Sequence, residues 1–144
     1  MMKLVVVMTS LMLLSPLASA EPKRDTLGGI AVRLSGFDSD AGMAVCALFT
    51  KDGWLQAGKG KAQKVPIKDH AATCEFANVP FGTYAVAAFH DEDGDGGFDR
   101  RLGIPVEDYC FSNRATPRRL KPPRFDDAKF EHGRAHTHQP CELR

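Results

Sequence analysis

Apolar and polar positions alternate with a period of two in several short runs, and no segment sustains a 3.6-residue apolar period. The runs 30–34 and 43–49, separated by the turn region 36–42, read as two strands of a hairpin. A second hairpin is read where 73–77 gives way to the turn Asn78-Val79-Pro80-Phe81-Gly82 and then to 83–89. Residues 63–67 read as a short edge strand, since Pro66 cannot donate to a ladder. The segment 130–143 supplies the last one or two strands, and the helical signal is confined to a single turn near Phe125-Asp126-Asp127-Ala128. Short strands punctuated by turn residues point to an all-β fold, an antiparallel β-sandwich of about seven strands. After the fifth strand the alternation stops. Residues 91–128 are rich in Gly, Pro, Asp and Arg and form a long irregular loop, of the kind that carries function or local structure of its own.

Residues 1–20 have the three parts of a secretory signal: Lys3, the apolar run 4–14, and the small-residue cleavage site Ala18-Ser19-Ala20. A single domain is therefore expected over residues 21–144, in a periplasmic or secreted protein. The apolar run falls short of the roughly 20 residues that span a bilayer, so no membrane insertion is expected. Lysine and arginine number 19 against 18 acidic residues, and without Lys3 the charges balance, which argues against a nucleic-acid or membrane-surface binder. The charge is segregated, however. Asp91, Glu92, Asp93, Asp95 and Asp99 form an acidic cluster, and Arg114, Arg118, Arg119, Lys121 and Arg124 a basic one.

All four cysteines, Cys46, Cys74, Cys110 and Cys141, follow the signal, so two disulfides are expected in an oxidising compartment. The close C-x-x-C pairs of structural zinc sites are absent.

The strongest chemical signal is Asp91-Glu92-Asp93-Gly94-Asp95-Gly96-Gly97-Phe98-Asp99, with carboxylates at positions one, three, five and nine and glycine at six. Calcium takes 6–8 oxygen ligands, alternate carboxylates can curl around one ion, and the glycine permits the bend that turns the next carbonyl, that of Gly97, inward. The expected ligands are Asp91, Asp93, Asp95, Gly97 and Asp99, with Glu107 or Asp108 returning to complete the shell. Position twelve is Leu102 rather than glutamate and the preceding segment is a strand, which excludes an EF-hand. The plainer alternative is an acidic hairpin tip, because Asp93-Gly94 and Asp95-Gly96 are both favoured turns, with Arg100 and Arg101 neutralising part of the charge.

Other residues carry weaker signals. His90 abuts the acidic loop and is read as a structural histidine that hydrogen-bonds the loop, or in the alternative as the general base of a metal-dependent hydrolase. His132, His136 and His138 share strand parity and would bind zinc, copper or nickel through imidazole nitrogens, although Arg134 on that face opposes a cation and a solvated edge carrying histidines is the plainer account. Trp54, in a glycine-rich loop, would stack on a sugar ring or, more plainly, pack on its own domain. The basic run 114–124, held extended by Pro117, Pro122 and Pro123, would bind an anionic partner or clamp the acidic loop.

Five ordered segments carry a family resemblance: Val79-Pro80-Phe81-Gly82-Thr83-Tyr84-Ala85-Val86, His90-Asp91-Glu92-Asp93-Gly94-Asp95-Gly96, Gly103-Ile104-Pro105-Val106-Glu107, Phe111-Ser112-Asn113 and Pro123-Arg124-Phe125-Asp126-Asp127-Ala128. Together they resemble an uncharacterised bacterial family of exported single-domain proteins, a domain of unknown function. The resemblance implies a transthyretin-like or carboxypeptidase-regulatory-like sandwich and no reaction. The chain departs from the family pattern at Cys110, where glycine is common, and at Cys141 and the histidine-bearing last strand. That departure pairs Cys110 with Cys141 and leaves Cys46 with Cys74. The expected function is that of a monomeric, non-enzymatic module whose calcium-bound loop shapes a surface for an extracytoplasmic protein, peptide or glycan. The alternatives are a hydrolase using His90 and a carbohydrate- or peptide-binding module using Trp54 and the arginines.

Overall fold

On each long strand every second side chain is withdrawn from water, and the withdrawn sets face one another across one core. The computed structural model describes residues 26–98, 100–101 and 104–144. Its strands are β1 (Leu27–Ser35), β2 (Met43–Phe49), β3 (Lys61–Pro66), β4 (Ala71–Pro80), β5 (Gly82–Asp91), β6 (Arg100–Arg101), β7 (Ile104–Pro105), β8 (Tyr109–Phe111), β9 (Phe130–His132) and β10 (His136–Glu142), with one helical turn, α1 (Phe125–Ala128). The smaller sheet runs β10-β1-β4 and the larger β3-β2-β5-β8, with β9 on the start of β5 and β6-β7 as a separate ribbon. Ile30, Val32 and Leu34 of β1 and Cys74 and Phe76 of β4 meet Ala44, Cys46 and Leu48 of β2 and Val86 of β5. Such burial is the main stabilising term, at about 25 cal/mol per Å² of apolar surface. The chain is an all-β sandwich, as the alternation predicts.

Three features of the pairing differ from the expectation. Strands β1 and β2 do not form a hairpin; β1 pairs with β4 and β10, β2 with β3 and β5. The link between them crosses from sheet to sheet over the core, where Phe37 is buried and packs edge-on against His90. Strands β4 and β5 also lie in different sheets: the chain turns the corner at Phe81, whose amide is held by the Thr26 carbonyl. Finally, β10 runs parallel to β1, from Gly29 opposite His136 to Ser35 opposite Glu142, so the sandwich is not wholly antiparallel. Each error has one cause. Alternation tells which face of a strand is buried but not which strand lies beside it.

Both sides of the sandwich are closed. On one side a disulfide joins Cys110 of β8 to Cys141 of β10, Cα to Cα 5.8 Å, and Tyr109 and Arg144 exchange backbone hydrogen bonds. On the other, the Gln63 side chain of β3 donates to the Glu75 carbonyl of β4 and accepts from the Glu75 amide. Cys46 and Cys74, expected as the second disulfide, are instead free, buried thiols. They stand on facing sheets and share a hydrogen bond, which together with burial holds the Cys46 thiol well above its usual pKa. Facing sheets stand ~10 Å apart, whereas a disulfide draws its Cα atoms to about 4.4–6.8 Å, a span met where the sheets pinch together at Cys110 and Cys141.

Candidate metal centre and the cleft beside it

The acidic loop leaves β5 at Asp91 and folds back over the outer face of the larger sheet. Two glycines make this possible. Gly96 takes φ +82°, in the left-handed region that costs glycine little, and Gly42 lies so close to the Asp91 and Glu92 backbone that a Cβ would stand 2.1 Å from the Asp91 carbonyl oxygen. Within the loop the amide of Asp95 donates to Asp93 Oδ1 at 3.1 Å and the amide of Gly97 to Asp95 Oδ1 at 2.7 Å. These short turns present Asp91, Asp93 and Asp95 with one carboxylate oxygen each inside a 4.8 Å span.

Asp91 differs from the other two. Its side chain is 0% exposed, whereas Asp93 and Asp95 are open to water. Oδ2 accepts from Lys64 Nζ at 3.0 Å and from the Gly96 amide at 3.0 Å. Among the described residues Oδ1 is buried with no hydrogen-bond partner. Burial raises the pKa of this carboxyl, but the Lys64 ammonium and the amides of Gly96 and Gly94 outweigh it and hold the group below the usual carboxylate range. A buried carboxylate oxygen without a donor is costly, and the group beside it is a set of oxygen ligands.

Lys64 reaches Asp91 across β2, because β3 and β5 flank that strand. Beside this ion pair lies a cleft of about 590 Å³. Its floor is a row of small residues, Ala62, Ala47 and Ala87, on three adjacent strands. Phe89, Tyr109 and Phe111 project from β5 and β8, and Leu55 closes the opposite side. Phe98 of the acidic loop packs on Phe89 at 5.3 Å and on Tyr109 at 5.8 Å, so the loop itself is one wall.

The family profile described as "Uncharacterized protein conserved in bacteria (DUF2141)" matches residues 32–139. The chain belongs to the DUF2141 family. No curated protein and no solved structure matches it.

In this DUF2141 member the remaining candidate residues fall into place as follows. Asp99 lies outside the described residues. Glu107 stands one position before Asp108, whose carbonyl holds the His90 amide, and does not join the carboxylate group. Gly97 contributes its amide to Asp95. His90 and Asp91 are consecutive on one strand and point to opposite faces: His90 is buried in the sandwich, its Nε2 2.6 Å from the Ala41 carbonyl. That geometry separates it from the acidic loop. His132 is likewise buried, bound to Thr137 Oγ1 at 2.7 Å, and does not share the exposed face of His136 and His138. Trp54 packs among Phe49, Phe111 and Phe125 and donates to the Pro123 carbonyl, so it is a structural anchor of the long loop. Arg118 and Arg124 pair with Asp127 of α1 rather than with the acidic loop.

The Phe-Ser-Asn and Phe-Asp-Asp-Ala segments serve the same anchoring. Ser112 Oγ, fully buried, donates to the Ala128 carbonyl at 2.6 Å and accepts the Val86 amide at 2.8 Å, while Asn113 donates to the Asp127 carbonyl. Sequence reasoning missed Lys64, Phe98 and the alanine row. The available signal was the outward parity that Ala62 shares with Lys64 on β3.

Proposed function

We propose that this protein is an exported, non-enzymatic binding module in which a calcium-type cation, held by Asp91, Asp93 and Asp95, fixes the wall of the aromatic cleft. The observation that carries this reading is the buried Oδ1 of Asp91, without a partner among the described residues, inside a group of three carboxylates. A hard cation supplies what that oxygen lacks, and further oxygens from backbone and water fill the 6–8 positions calcium takes. Lys64 is the resident counter-charge, and an incoming ion shares Asp91 with it or displaces it. Either way the loop is tied more tightly to the sheet, and Phe98 with it. Export is supported by the signal-like residues 1–20 and by the disulfide, which persists in oxidising compartments.

Calorimetric titration of chelator-stripped protein with calcium tests the reading. Binding is expected, with a rise in melting temperature equivalent to about 2.7 kcal/mol at one hundred times the dissociation constant. Asp93→Ala and Asp95→Ala should abolish it and Asp38→Ala should retain it. An unchanged melting temperature in millimolar calcium with no heat of binding would leave 91–99 an acidic turn.

A further inference from the structure

The smaller sheet carries a second arrangement of ligand-type side chains on its outer face, more than one strand away from the acidic loop and built from different chemistry. His136 and His138 occupy alternate positions of β10 and are exposed, so both imidazoles rise from the same face. The parallel register sets His136 beside Gly29 and His138 beside Ala31 of β1. Ala31 is in turn paired with Glu75 of β4. A transverse row His138-Ala31-Glu75 therefore crosses the sheet, with His136 one step along it.

The middle of that row is empty of bulk. Gly29 and Ala31 leave a furrow of about 320 Å³ between β10 and β4, lined by both histidines and Glu75. The His136 ring lies over it: a Cβ placed on Gly29 would stand 3.6 Å from Nδ1. Glu75 is held in place by its backbone, which exchanges hydrogen bonds with the Gln63 side chain, and its carboxylate is exposed on the outer face. Among the described residues none of the three side chains is engaged in an ion pair.

We infer that His136, His138 and Glu75 form a surface site for a borderline divalent transition ion, zinc or copper(II). Alternate residues of a strand stand about 6.6 Å apart, which lets two imidazole nitrogens converge on one ion at about 2.0–2.1 Å. Glu75 stands two strands away, about 9.6 Å between backbones, with only the Ala31 methyl between; the donor atoms of the three residues do not already lie within 4.8 Å of one another, and an ion would draw the exposed side chains together over the furrow. Two imidazoles and one carboxylate suit zinc and copper and not calcium, which wants an all-oxygen shell, so the site is chemically separate from the acidic loop. Arg33, the next outward residue of β1 after Ala31, and Lys61, bonded to the Ala77 carbonyl, place positive charge near the furrow. They oppose a cation, so the site binds at micromolar rather than nanomolar strength.

The test is calorimetric titration of the untagged chain with zinc, and electron paramagnetic resonance of the copper-loaded protein. One equivalent of zinc should bind at micromolar strength, and copper should show coupling to two imidazole nitrogens. His136→Ala and His138→Ala should each weaken binding by at least about tenfold and Glu75→Gln by a few-fold, while Arg33→Ala should tighten it. Asp93→Ala, which removes the proposed calcium site, should leave zinc affinity unchanged, so either site can fail without the other. All four positions of the furrow variants are exposed, and circular dichroism verifies that each folds. Absence of zinc binding at submillimolar concentration overturns the site, as does undiminished binding in the His136→Ala/His138→Ala double variant.

Discussion

Lys64 Nζ stands 3.0 Å from Asp91 Oδ2, an ammonium that is 46% exposed seated on a carboxylate that is fully buried. The two occupy the position where a bound cation would compete. Lys64→Met removes the competitor and leaves Asp91 without its charge partner. The ion-free protein should lose about 1–2 kcal/mol, less than a fully buried pair because Lys64 meets solvent. Calcium affinity should rise, so the calcium-dependent shift in melting temperature grows. A variant that binds calcium more weakly than the parent would show that Lys64 assists the ion instead of opposing it.

The lowered pKa of Asp91 has a definite sign in acid. A carboxyl whose folded pKa lies below its unfolded value, about 3.9, stabilises the fold above that value, and the contribution fades as pH falls through the folded pKa. Melting curves of the parent should therefore lose ground to those of Asp91→Asn as the pH drops from ~5 to ~2. Parallel curves across that interval would mean that Asp91 is not the group responsible.

Cysteine chemistry separates the two pairs. The bridge from Cys110 to Cys141 closes a loop with sequence separation 31. Replacing both by serine should cost about 3–4 kcal/mol in urea denaturation if chain entropy dominates. Alkylation should label Cys46 and Cys74 after denaturation and neither in the native state, since both are buried thiols. Peptide mapping that returns a bond between Cys46 and Cys74 would overturn that assignment.

His90→Ala reports on the sandwich corner. It deletes the bond to the Ala41 carbonyl and the edge-on contact with Phe37, so stability should fall by about 2–4 kcal/mol. Calcium binding by the folded fraction should be retained. A variant of parental stability that loses a hydrolytic activity would instead make His90 catalytic.

How far all this was legible in the sequence depended on distance along the chain. Strand β2 was read with its observed bounds, and the group Asp91, Asp93 and Asp95 is visible in a regular spacing. Both are local signals. Lys64 is 27 residues from Asp91 and looks like an ordinary solubilising lysine on an edge strand. Trp54 packs on its own domain, the plainer of its two readings, but its glycine-rich neighbours say nothing of Phe125, which covers it from the far end of the long loop. The false hairpins have the same origin: a short connection between alternating runs looks identical whether the chain doubles back within a sheet or crosses to the next.

The two closed sides also bear on how molecules of this protein treat one another. An open edge strand offers a row of unpaired amides and carbonyls on which another chain can grow. Here β8 lies against β10 and β3 against β4, so the edges of the two main sheets face a strand of the opposite sheet. Cleavage of the bond at Cys141 should loosen β10 from β8 and expose backbone groups that the closed sandwich shields.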